Sequence, residues 1–148
     1  MKKYRNKGFT LLIAVLVTGL MLSIGIAIYG ITSKEIVLSS IGRESQFSFY
    51  AADTGVECAL YWDQKGGKFS TTTASTLTCA NTTVADGGGV GYEVPMTFQF
   101  EVARFCSIVS VTKSLTHPRT KVESKGYNTT CEETENPLRV ERAIRVTY

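Results

Sequence analysis

Few side chains here could do chemistry, and their spacing limits what kind. The single histidine, His117, stands directly before Pro118. A catalytic histidine needs a carboxylate to orient it and a nucleophile within reach. Its surroundings, "SLTHPRT", supply neither, so His117 reads as a turn residue. Glu132, Glu133 and Glu135 cluster beside Cys131. They lack the alternating Asp/Asn ligands and the glycine of a calcium loop, and read as a solvated acidic loop. "GGGVG" at 87–91 is followed by no Gly-Lys-Ser/Thr and has no strand-to-helix context, so it reads as a flexible turn. Cys58, Cys79, Cys106 and Cys131 are separated by 21, 27 and 25 residues. With no Cys-x-x-Cys pair and one histidine, a zinc site is not expected. An even cysteine count points instead to two disulfides. No catalytic residue, metal or cofactor is expected, and the chain does not read as an enzyme.

Two further patterns carry charge or modification chemistry. Arg139 and Arg145 fall on one face of a candidate strand with Glu141 between them. Arg142 points the other way, among apolar residues, where it would snorkel or pair at a sheet margin. One mixed-charge strand is no phosphate-binding stripe, so a nucleic-acid partner is not expected. Asn81-Thr-Thr and Asn128-Thr-Thr match the glycosylation sequon, but such matches arise by chance in a threonine-rich surface.

The elements that must position these residues begin with an apolar run. From Phe9 to Ile31, 23 residues, there is no charged side chain. A membrane-crossing helix needs about 20. A secretory signal has a shorter apolar core, about 7–15 residues, and an A-x-A-like cleavage site; no such site lies between Ser23 and Ser33. Lys2, Lys3, Arg5 and Lys7 precede the run, which predicts a cytoplasmic N-terminus and the remainder outside. The formal charge of +3 is concentrated in that leader. Without residues 1–8 the balance is 12 basic against 13 acidic groups. All four cysteines fall on the predicted outer side, where disulfides persist.

The helical pattern does not stop at Ile31, and no proline occurs before Pro95. Val37, Ile41, Phe47, Ala51, Gly55, Cys58 and Trp62 recur at spacings of mostly three or four, which predicts one helical face. A single helix from about Phe9 to about Trp62 would be roughly 80 Å long. Gly66 and Gly67 suit its end. The threonine-rich segment 68–93 predicts a surface stretch with at most one short strand, around Cys79. From Pro95 the apolar period becomes two. "MTFQFEV", "CSIVSVTK", "KVESKGY" and "RVERAIRVTY" predict four strands, the last with Val140, Ile144, Val146 and Tyr148 on one face. The fold class is therefore α+β: a long N-terminal helix, its first half transmembrane, its second half packed on a four-stranded antiparallel sheet.

The basic leader ending in Lys7-Gly8-Phe9-Thr10-Leu11, the apolar run behind it and this architecture resemble the type IV pilins and type II secretion pseudopilins. "QFSFYAADTGVECAL" (46–60) adds a similarity to minor pilins of the X type, which carry an Ala-rich Ala-Glu-x-Gly-x-Glu segment there. The resemblance is strongest over residues 5–62; the head is pilin-like in architecture only. It implies cleavage by a prepilin peptidase between Gly8 and Phe9, N-methylation of Phe9, and assembly with other pilin or pseudopilin subunits on an inner-membrane platform. The subunit would wait in the lipid bilayer and end in a cell-surface filament. The implied divisions are a leader (1–8), a transmembrane half-helix (9–31), an amphipathic half-helix (32–65) and an extracytoplasmic head (66–148). One position departs from the family: Ile13 stands where most members keep a glutamate four residues after the cleaved bond. Some tip-forming subunits share that lack, which implies a tip or initiating role. Whether the machine would be a pilus or a secretion pseudopilus stays open. The alternative is an uncleaved, singly anchored binding domain.

The order of elements also predicts the disulfide pairing. Cys58 falls near the end of the helix and Cys79 follows the first loop after it. Cys106 opens a strand to which the loop bearing Cys131 returns. The expected pairs are Cys58–Cys79 and Cys106–Cys131.

Overall fold

The computed structural model describes residues 8–148. Lys2, Lys3, Arg5 and Lys7 of the expected leader lie outside the described residues. Helix α1 spans Gly8–Gln64, 57 residues. It contributes to two compact units, Met1–Ile41 and Gly42–Tyr148. The second unit holds six strands: β1 (Thr76–Cys79), β2 (Thr82–Ala85), β3 (Met96–Val102), β4 (Phe105–Lys113), β5 (Thr120–Tyr127) and β6 (Glu141–Thr147). Strands β3-β4-β5-β6 form an antiparallel sheet in that order, and β1-β2 form a separate hairpin.

The helix ends where the two glycines predicted. Gly67 takes a positive φ of 54°, which costs a residue without Cβ little. The chain turns there, and the Lys68 amide donates back to the Trp62 carbonyl at 3.1 Å.

The segment 68–93 holds one strand more than its composition predicts. Cys79 pairs with Thr82 across the two residues Ala80 and Asn81, with φ of 48° and 64°. Positive φ at both positions is the tight turn whose twist matches a hairpin. Asparagine tolerates that conformation, but alanine at the first position hides the usual Asn-Gly signature. After β2, the buried Asp86 holds the glycine turn: its Oδ1 accepts from the Ser75 amide at 2.8 Å and the Gly88 amide at 2.9 Å.

The four-stranded sheet buries one face, as its alternation dictates. Met96, Phe98 and Phe100 on β3, Val109 and Val111 on β4, and Val122 on β5 form the core with Val56 and Ala59 of α1, Phe69 and Leu77. Phe98 stacks on Phe69 and Phe100 at centroid distances of 5.8 and 6.2 Å. On β6, Ile144 and Val146 are half-buried against this core. The opposite face is wet and charged: Arg145 pairs with Glu123, and Lys125 lies 3.3 Å from Glu141.

The helix packs on the sheet through small residues. Ser48, Ala51, Ala52, Gly55, Val56 and Ala59 are its buried positions in this unit, with Phe47, Cys58 and Trp62 half-buried at the margins. Val37 and Ile41, assigned by periodicity to the same stripe, are exposed. A Cβ at Gly55 would fall 2.2 Å from Ser124 Oγ and 2.3 Å from Ser107 Oγ, and one at Gly126 would fall 2.0 Å from the Ser48 carbonyl oxygen. Helix backbone therefore touches sheet backbone.

Polar ties fix both ends of this contact. At one end Ser48 donates to the Val140 carbonyl at 2.8 Å, Asn128 donates to Glu44 at 3.0 Å, and Arg142 Nε donates to Ser45 at 2.7 Å. Arg142 thus pairs with the helix, on the inner side that alternation assigned it. At the other end Lys113 Nζ donates to both Asp63 oxygens at 2.6 and 2.7 Å, Tyr148 donates to Asp63 at 2.6 Å, and Trp62 Nε1 donates to the Thr78 carbonyl at 3.0 Å.

Candidate functional site

No cluster of three or more metal-ligating side chains occurs among the described residues. The residues whose types could do chemistry lie apart. His117 is exposed in the β4–β5 turn, and Glu132, Glu133 and Glu135 sit in the loop before β6, all three exposed. Asn81 is exposed at the hairpin tip, whereas the Asn128 side chain is occupied: it donates to Glu44 and the Leu138 carbonyl and accepts from the Val140 amide at 2.7 Å. A group so engaged is a poor acceptor for glycan transfer. The cysteines form two pairs at disulfide distance, Cys58–Cys79 with Cα atoms 5.9 Å apart and Cys106–Cys131 with Cα atoms 4.8 Å apart.

Among the described residues, the first part of α1 is exposed along its length. By length and composition it is able to cross a membrane: its most apolar 18-residue window has a mean hydropathy of 2.7, and none of that window is buried. Phe9, next to Gly8, is 68% exposed, and Ile13 is 44% exposed. Three hydroxyls in and just after the run bond to the helix itself. Thr18 donates to the Ala14 carbonyl at 2.9 Å, Ser23 to Leu20 at 2.8 Å and Thr32 to Ile28 at 3.0 Å. That back-bonding lets polar residues sit in an apolar medium without unmet donors. Gly19, Gly25 and Gly30 face open space, with nothing within 4 Å of a Cβ built on them.

Titration in the head is shaped by two tyrosines. Burial, then the bond it donates to Glu141 at 2.5 Å, pushes the Tyr127 hydroxyl up to about 12. Burial and Asp63 raise Tyr148 as well. The bond to Tyr127 holds Glu141 below the usual carboxylate range, and the bond from Arg145 does the same for Glu123. A folded-state value above the unfolded one favours the protonated, folded chain. The stability that the tyrosines contribute is therefore complete below pH ~10, the unfolded value, and is lost as pH rises through the folded values. Denaturant midpoints should fall between pH ~10 and ~12, and Tyr127→Phe should flatten part of that fall. An unchanged profile in the variant would assign the alkaline loss elsewhere.

No family model, curated protein or solved structure matches this chain.

Proposed function

We propose that the chain is a structural subunit, a minor pilin or pseudopilin, that assembles through α1 into a type IV pilus-like filament. One observation carries the reading. A charge-free helical run whose most apolar window is wholly exposed belongs to the same helix whose later residues are buried on an antiparallel sheet. An anchor alone needs only the first feature. A subunit held to its neighbours by helix packing, with a folded head displayed outside, calls for both. In this reading the run lies in the inner membrane before assembly, with the head on the outer side, and joins neighbouring helices in a surface filament afterwards.

The processing step is the test. Mass spectrometry of the mature protein should find an N-methylated Phe9 as the first residue. Gly8→Val should leave the full precursor, because a branched side chain would crowd a peptidase at the scissile bond. Recovery of Met1 or Lys2 at the N-terminus of the wild-type protein would replace this reading with a singly anchored binding domain.

Ile13 supports a position at the tip. An ionised carboxylate in a bilayer costs about 2.5–3.5 kcal/mol on insertion scales and is kept where a partner offsets it. A subunit with nothing ahead of it has no neighbouring amine to pair, and an isoleucine avoids the cost. Labelled subunits should then mark filament ends; label spread evenly along sheared filaments would exclude the tip role.

A further inference from the structure

Three connecting segments meet beside the C-terminal end of α1: 65–75, 86–95 and 114–119. Together they border an open cavity of about 700 Å³. Small-molecule sites run to about 300–1,000 Å³. Its floor is Phe69, buried and stacked on Phe98. Its rim carries Tyr92 and Leu115, both exposed. Ser70 and Ser114 line the wall, their hydroxyls bonded to those of Thr72 at 3.0 Å and Thr116 at 3.1 Å. Two cations border it, and they differ. Lys113 is committed to Asp63 and Thr120. Arg119 is exposed, and among the described residues its guanidinium has no hydrogen-bond or ion-pair partner.

We propose that this cavity binds an acidic sugar, a pyranose bearing a carboxylate. Arg119 offers the planar fork that takes a carboxylate through two parallel N–H bonds. Tyr92 offers a flat apolar face against which the C–H face of a sugar ring packs. A hydroxyl has one donor and two acceptor sites, so Ser114, bonded to the Thr116 hydroxyl and amide, keeps one site open for a sugar hydroxyl. A neutral sugar leaves the cation unmatched. An anion without a ring leaves the Tyr92 face uncovered. The cavity lies wholly within Gly42–Tyr148, so it stands apart from the cleavage and assembly reading, and either can fail without the other.

The test is a titration of the full chain in detergent micelles with glucuronate, followed by amide chemical shifts, with glucose and acetate as comparisons. Glucuronate should shift Ser70, Thr71 and Ser114 saturably. Glucose should bind about tenfold more weakly, the value of one charge-assisted bond, and acetate should not saturate. Arg119→Gln should bring glucuronate down to the affinity of glucose, while Tyr92→Ala should weaken both sugars alike. Both side chains are exposed, and unchanged melting of the variants shows that their folds are intact. The proposal is overturned if glucuronate gives no saturable shift, if glucose or acetate matches it, or if Arg119→Gln leaves its affinity unchanged.

Discussion

Gly126→Ala should unfold or nearly unfold the head, although it adds one methyl group. The new Cβ would lie 2.0 Å from the Ser48 carbonyl oxygen and 2.3 Å from the Ala52 amide nitrogen. Both are backbone atoms of α1, so no rotamer change relieves the clash. Either the helix lifts off the sheet, uncovering Val109 and Val122, or β5 loses its register with β4 and β6. Losses above about 4 kcal/mol arise from this kind of forced displacement in a packed core. In a domain of this size the melting temperature should drop by more than about 15 °C. Gly42→Ala is the control of opposite sign. Gly42 is exposed, with nothing within 4 Å of a built Cβ, and alanine should add about 0.5–1 kcal/mol by helix propensity alone. Similar melts for the two variants would show that the helix and sheet do not touch at Gly126.

Asp63→Ala should be the next most damaging change. It removes the acceptor for Lys113 and for the Tyr148 hydroxyl together. The side chains of Lys113 and Asp63 are only 19% and 9% exposed, so the ammonium left behind is poorly hydrated and keeps only Thr120. Removing one partner of such a pair costs about 3–5 kcal/mol, with the lower end apt here because solvent still reaches Lys113. Lys113→Met in the same chain should recover part of the loss, since the stranded charge is then gone. Equilibrium unfolding of the two single variants and the double variant measures this coupling. Strict additivity would mean that Asp63 acts through Tyr148 alone.

The sequence made the scaffold legible in some places and hid it in others, for physical reasons. The reach of α1 follows from a proline-free stretch, and β3 to β6 follow from clean alternation, because one wet face and one dry face force a period of two. Arg142 was readable as an exception to that alternation, and its partner Ser45 lies on the helix across the inner face. The contact stripe of α1 was less readable. Ser48, Ala52 and Ala59 are buried because they are small, and residues of that size leave no large apolar stripe in the sequence. The β1–β2 hairpin is hidden in the sequence because its turn is Ala-Asn. The cavity could not be read at all: Phe69, Tyr92 and Arg119 belong to three separate connections, and only the register of the hairpins brings them together.

The ties at the two ends of the helix–sheet contact have a mechanical consequence. Residue Phe105 of β4 stacks against Phe47, and Lys113, eight residues on, holds Asp63. The helix therefore runs alongside β4 in the same direction and is pinned at both ends of that span. A pull along its axis loads the Ser48, Glu44 and Ser45 ties, the Gly126 contact and the Asp63 clamp in parallel, in shear. Nothing in that arrangement peels one bond at a time. Tension delivered through α1 meets a joint that holds up to a threshold and then yields as a unit.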